Sequence, residues 1–215
     1  MSSGSDTSGR SGAGPLRIGL TGGIGSGKST VGAMLVWHGA ALIDSDAISR
    51  ATTASGGSAI TPITAAFGAQ VIGMDGALDR AAMRALVYRD ADARQRLEAI
   101  IHPLVGAESK RQAQAAIEAG TRCLVFDVPL LVESGSRWRS RVDRVLVVDC
   151  PPATQIARVV ARSGLAADEV RRILDAQAPR AQRLAAADIV VHNGDDVDLA
   201  TLERTIAQLA RSFGL

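Results

Sequence analysis

Gly22-Gly23-Ile24-Gly25-Ser26-Gly27-Lys28-Ser29-Thr30 fits the pattern of a glycine, four residues of any kind and then Gly-Lys-Ser/Thr. Its flanks agree with that pattern. Leu16 to Thr21 reads as a short buried strand and Thr30 to His38 as a helix, so the stretch is a strand, a glycine loop and a helix in succession. Glycines let such a loop curl with positive φ and turn successive N–H groups onto a polyphosphate, and the helix N-terminus adds partial positive charge. In this reading the backbone of Gly22, Gly23, Gly25, Ser26 and Gly27 cradles the phosphates and Lys28 reaches the β- and γ-phosphates of a nucleotide. The Ser29 hydroxyl takes Mg²⁺. A plain glycine-rich turn is the alternative, and the agreement of pattern and flanks speaks against it. Composition does too: arginines are many, but Lys28 and Lys110 are the only lysines, and a compact ammonium serves a phosphate cradle as a point charge.

The chain has 215 residues, 47% of them hydrophobic, enough for one α/β body with insertions. A formal net charge of +2, with arginines spread along the chain, argues against a nucleic-acid partner. Cys123 and Cys150 read as reduced thiols of a cytoplasmic protein. No apolar run approaches 18 residues and the N-terminus lacks the order of a signal peptide, so no membrane partner is expected. Residues 1–15, rich in Ser and Gly, are expected to be a disordered tail, as a tag or a native extension.

A second strand, Ala40 to Ile43, ends in Asp44-Ser45-Asp46. Ligands of open α/β sheets sit beyond the carboxyl ends of the strands, so this acidic pair is expected on the rim that carries the phosphate loop. The alternative is an N-cap, by Asp46 or Ser45, for a helix beginning near Ala47. From Ile48 to Gly120 the pattern is helical with breakers and shows no strand. About 70 residues exceed what a βαβ crossover needs, so the segment reads as a helical insertion. Within it His102 reads as a helix-boundary residue, because Pro103 follows.

Cys123 to Val128 reads as a central strand with Asp127 near its carboxyl end, where an acid can hold Mg²⁺ directly or through water, or cap a loop. Pro129 to Glu133 turns into a short helix, and Val142 to Asp149 is the next strand. On the following helix, Thr154 to Ser163, Arg158 and Arg162 share a face, which costs a few tenths of a kcal/mol unless an anion lies between them. Helix, Gly164, helix to Gln177, then Arg180 and Arg183 reads as a lid able to close over a nucleotide. A solvated basic face is the other reading. Asp188 to His192 is the last strand. A helix from Val197 to Phe213 covers the sheet with Leu199, Leu202, Ile206, Leu209 and Phe213 inward.

These stretches, taken in order, resemble the dephospho-CoA kinase family. The likeness is carried by Thr21 to Thr30, Ile43 to Ile48 (IDSDAI), Phe67-Gly68, Asp75 to Arg80, Leu97 to Pro103 (LEAIIHP), Asp127 to Glu133 (DVPLLVE), Arg144 to Asp149, Gln177, and Ala187 to Asn193. Departures are few, among them Ser45 where the family usually has Ala. The resemblance implies an α/β P-loop kinase fold over residues 16–215: a parallel five-stranded sheet flanked by helices, a helical acceptor-binding insertion (about 48–120) and a short helical lid (about 154–184). It implies transfer of the γ-phosphoryl group of ATP to the ribose 3′-hydroxyl of dephospho-CoA, the last step of coenzyme A synthesis, by a monomer or weak homo-oligomer. Asp46 is then the residue that orients the acceptor hydroxyl and takes its proton, with Asp44 as substitute. Thr30 lies near the α-phosphate, Asp127 tunes the Mg²⁺ site, and Arg158 and Arg162 act from the lid. A kinase for another small acceptor is the nearest alternative. A GTP-binding switch is a further one, and the absence of an Asn/Thr-Lys-x-Asp stretch counts against it; Lys110 is followed by Arg111-Gln112-Ala113.

Overall fold

The computed structural model describes residues 14–215; the expected tail lies, apart from its last two residues, outside the described residues. The element order is β1 (Leu16–Gly22), α1 (Lys28–Trp37), β2 (Ala41–Asp44), α2 (Ser45–Thr52), α3 (Ile60–Phe67), a 3₁₀ turn (Ala69–Val71), α4 (Arg80–Arg89) and α5 (Ala91–Glu118). It continues with β3 (Cys123–Asp127), α6 (Ser136–Arg139), β4 (Arg144–Asp149), α7 (Pro152–Ser163), α8 (Ala167–Asp175), α9 (Arg180–Ala185), β5 (Ile189–His192) and α10 (Leu199–Ser212). Five parallel strands form one sheet in the order β2-β3-β1-β4-β5. The expected fold class is therefore found.

Alternation along the central strands sends side chains to both faces. Ile18, Leu20, Val125, Leu146 and Val148 pack under α1 and α10 with Leu35 and Ile206. Leu124, Phe126, Val145 and Val147 pack on the other face, against Val105 and Ile117 of α5. The helices between β2 and β3 enclose a third core of Ala59, Ile63, Phe67, Val71 and Met83, which Leu97, Ile100 and Leu104 of α5 close. The pairing in that segment outside the named strands is one antiparallel bridge, Ile72 to Leu78.

Several sequence expectations shift. Helix α1 starts at Lys28 rather than Thr30, and β4 starts at Arg144 rather than Val142. Residues 129–135 form turns, and the short helix follows them at Ser136. His102 is not at a helix boundary: Pro103 lies inside the 28-residue α5. A proline there removes one backbone hydrogen bond and crowds the preceding turn. The helix continues because packing on both sides of the proline holds it, Leu97 to Leu104 in one core and Val105 to Ile117 in another. Finally, α10 begins at Leu199, two residues later than expected. The Asp198 carboxylate caps it by accepting from Thr201 N–H at 2.7 Å, which leaves Leu199 61% exposed and outside the inward stripe.

Candidate active site

The phosphate loop leaves β1 at the sheet's carboxyl edge and returns as α1. Gly25 (φ 74°) and Gly27 (φ 92°) adopt the left-handed conformation the curl requires. Gly27 stands at the N-cap of α1 without any side-chain cap, so the first-turn N–H groups remain open to an anion. Ser29 and Thr30 are exposed there, while Ser26 is buried.

Parallel register brings the acids to the same edge. Asp127 of β3 pairs with Leu20 of β1 on one side and with Asp44 of β2 on the other. Lys28 Nζ donates to Asp127 Oδ1 in a half-hidden ion pair. Burial pushes the Asp127 carboxyl above its ordinary value. The Lys28 ammonium pulls it down, and the carboxylates of Asp44 and Asp46 push it up again. Three carboxylates and one ammonium thus share the rim.

The acidic pair divides its work. Asp44, not Asp46 or Ser45, is the N-cap of α2: its Oδ1 accepts from Ala47 N–H at 2.8 Å, and Oδ2 lies 3.9 Å from Arg50. Asp46, in the first turn, makes no hydrogen bond or ion pair with a described residue and lines a cavity of about 1070 Å³. That cavity runs between α5 and the 129–141 segment, with Ser49, His102, Lys110, Phe126 and Trp138 in its wall. Trp138 packs on Phe126 at 5.9 Å, and Arg141 lies over the Trp138 ring at 5.6 Å. Asp44 faces a smaller pocket of about 510 Å³ instead.

Of the two arginines expected to act from the lid, Arg158 donates to the backbone carbonyls of Asn193 at 2.8 Å and Gly194 at 3.4 Å, tying α7 to the end of β5. Arg162 is exposed, with no partner among the described residues. Arg180 forks onto Asp149 at 2.6 and 2.9 Å. Arg183 is buried, donates to the Ala178 carbonyl, and lies close over Gly23.

Side-chain amides from three other elements also meet the loop. Gln177 Oε1 accepts from Ile24 N–H at 3.0 Å, Gln155 Nε2 donates to Ile24 C=O at 2.7 Å, and Asn193 Nδ2 donates to Ser26 C=O at 2.7 Å. Gln177 and Asn193 stand in stretches that carry the family likeness. For Gln155 the signal available was a polar residue four before Val159 on the buried stripe of α7.

Comparison with known proteins agrees with this fold. The dephospho-CoA kinase family model matches residues 16–198. The chain belongs to the dephospho-CoA kinase family. A dephospho-CoA kinase of Albidiferax ferrireducens is 56% identical over 202 residues, covering 94% of each chain. That of Bordetella pertussis is 58% identical over 197 residues, covering 92% of this chain and 88% of its own. Among solved structures, TT1252 from Thermus thermophilus superposes with a TM-score of 0.75 at 34% identity, covering 93% of this chain and 98% of its own. Dephospho-CoA kinase from Campylobacter jejuni, at 22% identity and a TM-score of 0.65, shares the fold, covering 91% of this chain and 96% of its own.

Proposed function

We propose that this chain transfers the terminal phosphoryl group of ATP to the ribose 3′-hydroxyl of dephospho-CoA, giving coenzyme A and ADP in the last step of coenzyme A synthesis. The observation that carries the reading is the placement of Asp46. Its carboxylate makes no hydrogen bond or ion pair among the described residues and lines a cavity of about 1070 Å³, at the rim that bears Lys28 and Asp127. Family membership supplies the acceptor's identity.

Phosphoryl transfer asks a protein mainly for in-line positioning and countercharge. The loop backbone from Gly22 to Gly27 and the open first turn of α1 hold the ATP phosphates, with Thr30 near the α-phosphate. Lys28 exchanges Asp127 for the β- and γ-phosphates. Asp46 orients the acceptor hydroxyl and accepts its proton. Arg158 and Arg162 act from the lid, which occupies about 154–184. The oxygen donors at the rim, Ser29 and Asp127, suit Mg²⁺. Among the described residues no three His, Cys, Asp or Glu side chains form a metal site by themselves. Bound there, Mg²⁺ would neutralise charge on the phosphates.

The insertion over about 48–120 forms the acceptor side. We place the enzyme in the cytoplasm, as a monomer or weak homo-oligomer without nucleic-acid or membrane partners. Two free, buried cysteines support a reducing compartment, and among the described residues no helix is long and apolar enough to cross a membrane.

An ADP-release assay over dephospho-CoA, shikimate and nucleoside monophosphates tests the acceptor; turnover is expected with dephospho-CoA and not with the others. Asp46→Asn tests the base. It should keep the melting temperature and ATP binding while lowering kcat by roughly 10²–10⁴, nearer the lower end because a loose transition state needs little base assistance. Turnover within a few-fold of wild type would remove Asp46 from that role.

A further inference from the structure

Three amide side chains grip the phosphate loop from outside it. Gln155 of α7 donates to Ile24 C=O, Asn193 at the end of β5 donates to Ser26 C=O, and Gln177, between α8 and α9, accepts from Ile24 N–H. The partners fix the orientation of each amide, since a carbonyl can only accept and an N–H can only donate. Gln155 and Asn193 are buried, at 1% and 7% exposure, so neither side chain is held there by chance contact with solvent.

The consequence follows from peptide geometry. All peptide bonds described are trans, and a trans peptide points its C=O and its N–H in opposite directions. Holding Ile24 C=O toward α7 therefore turns Gly25 N–H away from α7. Holding Ser26 C=O toward Asn193 turns Gly27 N–H away from Asn193. Gly25 N–H and Gly27 N–H are without a hydrogen-bond partner among the described residues, whereas Ser26 N–H is spent on Gly23 C=O at 3.1 Å. The fit leaves no slack. A Cβ on Gly23 would collide with Gln155 Nε2, one on Gly27 with Asn193 Nδ2, and one on Gly25 would lie 2.6 Å from the Gln155 carbonyl. The linker that carries Gln177 is itself anchored, because Ala178 N–H donates to Glu133 Oε1 at 2.7 Å.

We propose that Gln155, Asn193 and Gln177 are positioning residues for phosphoryl transfer, two donors and one acceptor that orient the loop so that Gly25 and Gly27 present free N–H groups to the ATP polyphosphate. The inference rests on the reading of the loop as an ATP site. Donors preset toward developing charge act without reorganising during the reaction, and loss of one such donor costs on the order of 10²–10³ in rate. Loosening a donor rather than deleting it should cost less.

The test uses the opposite polarity of the partners. Gln155→Glu and Asn193→Asp keep size and, as carboxylates, cannot donate, and each, assayed at a pH where it is ionised, should lower kcat/KM for ATP by about 10–100-fold. Gln177→Glu adds the same charge but still accepts from Ile24 N–H, so its loss should be at least fivefold smaller. Gln155→Met removes the donor without adding charge and should follow Gln155→Glu. KM for dephospho-CoA should stay within twofold in all four variants. Calorimetry of ATP binding and circular dichroism accompany the kinetics. Equal losses at the three positions, a loss that falls on the acceptor KM, or Gln155→Met within twofold of wild type would overturn the proposal. Failure of both Gln155 variants to fold would also overturn it, by making Gln155 a fold residue. A wild-type protein that does not bind ATP sinks the underlying reading instead, which the calorimetry separates from failure of the clamp.

Discussion

Around the phosphate loop, polar backbone groups at Ile24 and Ser26 are held by amides from distant elements, and Arg158 adds bonds to Asn193 and Gly194. The large cavity across the rim is walled differently: His102, Lys110 and Arg141 point into it, and none of them is bonded to a carboxylate among the described residues. The first region has the backbone groups of Ile24 and the Ser26 C=O held within the protein, while the buried Ser26 Oγ has no partner among the described residues. The second keeps Lys110 without an ion pair among the described residues, sets Arg141 over the Trp138 ring and pairs Arg111 with Glu108. The first suits a fixed anion, and the second is the side we propose for the larger acceptor. Mutations should therefore act on the chemical step at the loop and on acceptor binding at the cavity.

The sharpest way to break this contrast is Lys28→Ala, expected to lower kcat by about 10³-fold or more, with near-native circular dichroism. Asp127 then loses its ammonium partner while remaining buried, so some loss of melting temperature should accompany the loss of activity. Near-normal turnover would take the phosphate loop out of the mechanism.

Next in size is Arg158→Ala. The spacing of Arg158 and Arg162 alone predicts relief of repulsion on mutation, but the bonds from Arg158 to the β5 end reverse that sign for one of the two. Arg158→Ala should cost about 1–2 kcal/mol, discounted for its partial exposure, and raise KM for ATP. Arg162→Ala should leave the melting temperature unchanged. Equal melting temperatures for the two variants would mean that Arg158 does not brace the loop.

Lys110→Ala sharpens the other side. The acceptor carries a diphosphate, and Lys110 lines the cavity without an acidic partner among the described residues; removing it should raise KM for dephospho-CoA by about three- to tenfold with kcat retained. A fall in kcat of the size expected for Lys28 would erase the distinction between the two regions.

Legibility in the sequence follows the same division. The loop was readable because glycine spacing, a lysine and a hydroxyl are each dictated locally by the chemistry of a phosphate cradle, and strands buried on both faces announce themselves as apolar runs. Register then put Asp44 and Asp127 side by side, as expected of strand ends. Helix α5 was not readable as one element, because Pro103 is a local stop signal that two separate cores override. His102 was misplaced for the same reason. The amides that hold the loop were invisible as such: their partners are backbone atoms far away in sequence, and one glutamine on a helix carries no signature of what its amide meets. That Asp44 rather than Asp46 or Ser45 caps α2 depends on the direction each side chain takes at the start of the helix.

Asp44 gives the smallest expected effect and tests whether the two acids truly divide. Its Oδ1 caps α2 through Ala47 N–H, and α2 carries Asp46 into the cavity wall. Asp44→Ala removes the cap and should cost about 0.5–2 kcal/mol of stability. Asn caps as well as Asp, so Asp44→Asn should lose only a few tenths of a kcal/mol. Asn retains the acceptor oxygen at the cap but not the charge, so turnover in Asp44→Asn reports whether the charge matters to the chemistry. Kcat for Asp44→Asn should remain within about fivefold of wild type, well above that of Asp46→Asn. If instead Asp44→Asn is stable but nearly inactive while Asp46→Asn turns over normally, the proton acceptor is the capping residue, and the free carboxylate facing the cavity serves only to steer the acceptor.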